Sequence, residues 1–264
     1  MNFEIFQKFK LAVNGKASIM FDDNKTLFFV NKKINGCDCK KASIKIDLAN
    51  KNVLVDLDDT ILHNDFAEEI FPEYLDGSDP YKVKLNVLKE HYLRLSTFSP
   101  EAFDWEYLSF KALNSNKLPD LHILQEKYYV WPFVFKIRGA DKMLKNLKNL
   151  GCKIYAYTNG YSKYQRELLK KLSMEEFFED IFSPDVMGVS KVDFFKKTTL
   201  KKEDTIVIGD DYFYDVEVPA YHGFMTAWIY KYKKGPIGTP SAFPDYAFFD
   251  LSSLIKALTH EQKD

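Results

Sequence analysis

The stretch that most constrains this 264-residue chain is 52–60, Asn-Val-Leu-Val-Asp-Leu-Asp-Asp-Thr. Val53, Leu54 and Val55 make the short aliphatic run of a strand buried on both faces, and it stops in three carboxylates, Asp56, Asp58 and Asp59. Stability alone does not put three acids there, because their charges repel and each is costly to desolvate without a cation or hydrogen-bond donors. Ligands of open α/β sheets bind just beyond the carboxyl ends of the strands, so the run marks both a central strand and a site.

From residue 138 onward the pattern alternates between helix and strand. Residues 153–158, 180–183, 205–208, 225–230 and 246–249 read as strands. Residues 139–150, closed by Gly151, and 162–172 and 251–258 read as helices, with a further helical turn at 193–197. This alternation predicts βαβ units in a three-layer, Rossmann-like, mainly parallel sheet. Residues 233–244, with three prolines and two glycines, read as a loop.

Between the first acidic turn and that alternating region the signal is helical. Val83, Val87, Leu88, Tyr92 and Leu95 recur near the helical period, Ser99-Pro100 reads as a helix start, and residues 118–130 supply another helical stretch. A helical block inserted directly after the first core strand reads as a cap over the site, with Phe98, Phe103, Trp105, Tyr107 and Phe110 filling the cap's own core. Ahead of the core, residues 18–21 and 26–30 flank Asp22-Asp23-Asn24-Lys25 as a hairpin, and Ile44, Ile46 and Leu48 alternate with polar residues as a third strand. The expected division is a β-meander extension over 1–50, preceded by a short helix, a core of 51–62 and 136–264, and a helical cap over 63–135.

A formal net charge of −1 and only three arginines give no electrostatic basis for nucleic acid or an anionic membrane as a partner. Residues 1–9 mix Glu4, Gln7 and Lys8 among apolar residues and make no signal peptide, and no apolar run reaches spanning length. The three cysteines, with Cys37 and Cys39 too close for a disulfide framework, read as free thiols, and the expected location is cytoplasmic.

Four strand ends converge on chemistry: Asp56-Leu57-Asp58-Asp59-Thr60, Thr158-Asn159-Gly160, Ser190-Lys191, and Gly209-Asp210-Asp211 with Asp215 beyond. In that order, over roughly residues 52–258, they resemble the four motifs of the haloacid dehalogenase superfamily. The helical insertion between the first two motifs is similar to that family's C1-type cap. One departure is Val192, where the family pattern places proline after the lysine; Phe194 and Phe195 partly restore that pattern. The family's dehalogenases lack an acid two residues after the nucleophile, so Asp58 turns the resemblance toward its phosphatases.

The residues support the same chemistry. Phosphoryl transfer needs a nucleophile, charge neutralisation and a proton donor for the leaving alkoxide. Asp56 is the expected nucleophile, forming an aspartyl-phosphate. Asp58, two residues on and so on the same side of an extended chain, is the expected general acid and base. Asp56 and Asp210, with the Asp58 backbone carbonyl, suit Mg²⁺. Thr158, Asn159, Gly160 and Lys191 are expected to bind the phosphoryl group, and Asp211 and Asp215 to hold metal-bound water or orient Lys191. His63, close to the first motif, reads more readily as a hinge histidine than as a substrate contact. The expected activity is hydrolysis of a small phosphorylated metabolite. A sugar phosphomutase of the same superfamily, or a non-catalytic scaffold acting through residues 1–50, are the alternatives.

Overall fold

The structure, a computed structural model, describes residues 18–21, 27–30, 46–64, 79–113, 133–230 and 241–258. Its centre is the predicted strand, β3 (Asn52–Val55), whose Val53, Leu54 and Val55 are fully buried. A six-stranded parallel sheet forms around it from β6 (Lys153–Tyr157), β7 (Asp180–Phe182), β8 (Thr205–Gly209), β9 (Met225–Ile229) and β10 (Tyr246–Phe248), in the order β10-β9-β8-β3-β6-β7. This is the three-layer α/β architecture that the alternation predicts.

Strand side chains alternate, so β3 supplies both layers of the core. Val53 and Val55 pack with Met143, Leu144 and Leu147 of α3 (Ala140–Asn149) and Leu251, Leu254 and Ile255 of α5 (Leu251–Leu258). Leu54 faces the other way, onto Tyr157, Phe194, Phe195, Val207 and Phe224. Both faces are covered, which is why the strand reads as an uninterrupted apolar run.

The segment expected to form a cap contains α1 (Pro80–Leu95), a 3₁₀ turn (Pro100–Phe103) and α2 (Trp105–Leu113). Ser99 precedes the turn in extended conformation, as the helix-start signal predicts, although its hydroxyl bonds the Glu101 carboxylate instead of a backbone amide. The aromatic reading holds in part. Phe103 and Trp105 pack around the buried His91, whose Nδ1 lies 2.6 Å from Ala102 O, but Phe98 and Phe110 are exposed. The predicted helix over 118–130, the helix before residue 18 and most of the 233–244 loop lie outside the described residues.

Two features differ from expectation. The extension forms a hairpin, β1 (Ser18–Phe21) antiparallel to β2 (Leu27–Val30), but of the expected third strand residues 46–48 are not strand and residues 44–45 lie outside the described residues. The alternation there has another cause: Ile46 and Leu48 are buried in the main core and Asp47 points to solvent, so the segment is an extended lead into β3. The second feature is a ribbon of β4 (Leu62–Asn64) antiparallel to β5 (Val134–Lys136). It joins the chain leaving the core to the chain returning, across both expected cap boundaries.

Two-sided burial sets a stability expectation. Leu54→Ala should cost about 2–5 kcal/mol, as core truncations do, whereas the half-exposed Leu85→Ala should stay within about 0.5 kcal/mol. Urea unfolding of the two variants measures this, and equal losses would contradict the assigned core.

Candidate active site

The register of the sheet brings the site together. Asp56, Thr158 and Asp210 are each the first residue past a strand, β3, β6 and β8, which are neighbours in the order β8-β3-β6. The ladders run one step further, with Asp56 N donating to Ile208 O at 2.9 Å and Thr158 N to Phe182 O at 3.1 Å. Adjacent strands lie about 4.8 Å apart, so three polar residues at three adjacent tips share one pocket floor.

After Asp56 the chain curls tightly. Leu57 turns into the core, its carbonyl accepts from the amides of Thr60, Ile61 and Leu62, and Asp59 adopts a left-handed φ of 60°. Asp58 therefore lies on the side opposite Leu57, as Asp56 does. Thr60 comes back beneath the acids, with its Oγ1 3.0 Å from Asp56 Oδ2 and 3.2 Å from Asp210 Oδ1. One hydroxyl proton serves only one of these carboxylates at a time.

Lys191 is the buried counter-charge. Its Nζ lies 2.6 Å from Asp56 Oδ1 and 2.7 Å from Asp215 Oδ1. Burial works against the ammonium, but Asp215 and then Asp56 outweigh it and hold its pKa well above the ordinary lysine value. Tyr157 fixes the residue twice: its hydroxyl donates to Lys191 O at 2.9 Å, and its ring centre lies 4.4 Å from Nζ.

Asp215 reaches Lys191 from a π-helix (Tyr212–Glu217), a rare form that concentrates at functional sites. Asp211 caps it, its Oδ1 accepting from Phe213 N at 2.9 Å and Tyr214 N at 3.0 Å. Asp215 Oδ2 accepts from Asp211 N at 2.9 Å. Gly209 leaves room for this arrangement, since a Cβ there would lie 2.1 Å from Asp215 Oδ2. Trp228 Nε1 donates to Asp210 O at 2.9 Å and holds the third strand tip.

Asp58 is set slightly apart. Asn64 Nδ2 donates to its Oδ1 at 3.1 Å and Gln165 Nε2 to its Oδ2 at 2.7 Å. Part of the residue touches solvent, yet its carboxyl group is walled in. That desolvation, then the Asp56 charge, raises its pKa to about 6, with Asn64 and Gln165 opposing. Thr158 Oγ1 accepts from Gly160 N at 3.0 Å, and Asn159 lies half-buried in the bend between them. His63 sits on the ribbon, with Nδ1 3.2 Å from Asp59 Oδ1 and its ring against Phe135.

Asp56, Asp210 and Asp215 each offer an oxygen within 4.8 Å of the others. Three buried carboxyl groups meet one buried ammonium here, and burial pushes Asp215 up to about 7 against the pull of Lys191; hard oxygen donors so gathered fit a divalent cation. The structure thus places Asp56, Lys191, Asp210 and Asp215 in one cluster, with Asp58 and Thr158 beside it through Gln165; Asp211 faces the π-helix it caps. Thr60 stood in the first motif without an assigned role, and Tyr157, Gln165 and Trp228 escaped the sequence reading. For Gln165 a signal existed: it shares the buried face of α4 (Ser162–Lys171) with Tyr164, Leu168 and Leu169, where a polar residue is out of place.

The fold and the site define an α/β enzyme built around acidic strand tips. A sequence profile of the haloacid dehalogenase-like hydrolases matches residues 51–223, and the chain belongs to that family. Among its relatives, glyceraldehyde 3-phosphate phosphatase of Pyrococcus furiosus is 24% identical over 80% of this chain and 94% of that protein. The enzyme of the same name from Methanocaldococcus jannaschii is 30% identical over 47% of this chain and 56% of that protein. In fold, a haloacid dehalogenase-type phosphatase from Thermococcus onnurineus superposes with a TM-score of 0.66 at 23% identity, covering 81% of this chain and all of that one. The Bacillus subtilis hydrolase YfnB, solved with magnesium, gives 0.55 at 22% identity, covering 80% and 99%.

The paired burial makes a prediction. Lys191→Ala in EDTA should destabilise by about 3–5 kcal/mol, because Asp215 and Asp56 are left buried without their cation. Chemical denaturation tests it, and a loss below about 1 kcal/mol would show that the ammonium does not hold the cluster together.

Proposed function

We propose that the protein is a Mg²⁺-dependent phosphatase that hydrolyses a small aliphatic phosphate monoester through an aspartyl-phosphate on Asp56, with residues 63–135 acting as the cap. The enzyme is a phosphoric monoester hydrolase of its superfamily. The observation that carries the finer reading is the meeting of Asp56, Asp210, Asp215 and Lys191 at adjacent strand tips with a second acid, Asp58, alongside.

In this reading a carboxylate oxygen of Asp56 attacks phosphorus in line as the bond to the leaving oxygen breaks. Asp58 gives its proton to that oxygen, and the alcohol departs. Water then attacks the aspartyl-phosphate while Asp58 takes back a proton, releasing phosphate and restoring the Asp56 carboxylate. Lys191 balances charge on the phosphoryl oxygens as a fixed ammonium. Thr158, with the amides around Asn159 and Gly160, binds those oxygens. Asp56, Asp210 and the Asp58 carbonyl would hold Mg²⁺, which lowers the repulsion between the nucleophile and a phosphate dianion. Asp215 orients Lys191, and Asp211 keeps the π-helix in place beneath both.

The names of the relatives make glyceraldehyde 3-phosphate the first substrate to test, in keeping with a small phosphorylated metabolite as partner and a cytoplasmic setting. No helix among the described residues is long and apolar enough to cross a membrane.

Asp56→Asn should lower turnover of such esters by more than about 10³-fold while circular dichroism shows the fold retained. EDTA should suppress the wild-type rate and added Mg²⁺ restore it. Substantial turnover by the Asn variant would remove Asp56 from the mechanism, and full activity in EDTA would remove the metal.

A further inference from the structure

We infer that Gln165 is a positioning residue for the proton-transfer acid, holding Asp58 where it serves esters of poor leaving groups, the alkyl phosphates. The inference rests on the phosphatase reading above and adds to it the residue on which alkoxide departure depends.

Gln165 sits in the first turn of α4 and is almost wholly buried. Its Nε2 lies 2.7 Å from Asp58 Oδ2 and 3.3 Å from Thr158 Oγ1, so one amide group ties the acid to the strand tip that faces the phosphoryl group. Both Asp58 oxygens accept, from Asn64 Nδ2 and Gln165 Nε2, and a protonated carboxyl keeps the lone pairs to accept both, so the amide nitrogen faces Asp58. The Oε1 atom is buried without a hydrogen-bond donor among the described residues, a cost that an apolar side chain of the same length would avoid. Packing alone therefore gives no reason for glutamine here, whereas holding Asp58 does.

The neighbouring backbone accommodates the amide. A Cβ at Gly160 would come within 2.3 Å of Gln165 Nε2, so glycine follows Asn159 partly because Gln165 fills that space. Asn64 grips the other oxygen of Asp58 from the cap ribbon. The acid is thus held from the core by Gln165 and from the hinge by Asn64, and its direction is set before substrate arrives. The same helix also meets the cap: Lys163 pairs with Glu106, and Tyr164 Oη accepts from Glu106 N at 3.3 Å.

The chemistry makes the role separable from a general structural one. As the bond from phosphorus to the leaving oxygen breaks, an alkoxide must receive the Asp58 proton, while a p-nitrophenolate departs without it. The value of kcat/KM reports this first step alone, ahead of water attack, which is common to both substrates. Gln165→Met keeps the length and loses the donor; Gln165→Glu keeps the shape and replaces the donor by oxygen.

With Mg²⁺ present, either variant should lose about 10²-fold in kcat/KM for glycerol phosphate and less than about threefold for p-nitrophenyl phosphate. For glycerol phosphate the loss should fall in kcat rather than in KM. An equal fall for both esters, or no fall for the alkyl ester, would overturn the role of Gln165 and leave the phosphatase reading standing. Wild-type protein inert toward both esters would overturn the phosphatase reading and this inference with it.

Discussion

One buried ammonium organises the strand-tip cluster. Lys191 stands between Asp56 and Asp215 with contacts of 2.6 and 2.7 Å, and without its charge both acids would be buried with no counter-charge beside them. Its position is set by elements far from one another in the chain: Tyr157 at the end of β6 holds its carbonyl and flanks its charge, and the π-helix after β8 delivers Asp215. A buried ion pair is weak evidence of stability by itself, since an apolar replacement often serves as well. Here the pair lies where three parallel strands end, and in the proposed reaction it sets a fixed positive charge beside the attacking carboxylate.

The second acid is governed differently. Asp58 is held by two neutral amides, Asn64 and Gln165, and burial together with the nearby Asp56 charge pushes it toward the protonated form against the pull of those two donors. A carboxyl group so raised suits the proton donor of the proposed reaction. Phe98, after α1, stacks on Phe213 of the π-helix at 5.8 Å, while α2 meets α4 through Glu106. The helical segment 79–113 therefore rests on the two elements that carry Asp215 and Gln165.

Much of this was legible in the chain, for physical reasons. Strands buried on both faces must be apolar throughout, so β3 and β8 stand out, and charged residues directly after them have no structural excuse. Adjacent parallel strands end together, which brings Asp56 and Asp210 into one place once the sheet is inferred. The ribbon of β4 and β5 was not legible, because each strand has three residues and they pair across 70 positions, too short for periodicity to register. The extended lead at Ile46 and Leu48 shows the converse error: a period-two pattern reports alternating burial, and a single segment crossing the core edge produces it without any strand partner. Gln165 was overlooked because glutamine in a helix usually faces water, and only its place on the stripe of Leu168 and Leu169 distinguishes it.

The central claim is that Asp56, paired with Lys191, becomes covalently phosphorylated. The most direct measurement is to acid-quench the enzyme during turnover of a phosphate ester and determine by mass spectrometry which peptide carries the phosphoryl group. The account predicts a base-labile phosphoryl adduct on Asp56 in the peptide spanning residues 52–60. Turnover with no adduct there, or with the phosphoryl group on another residue, would contradict it.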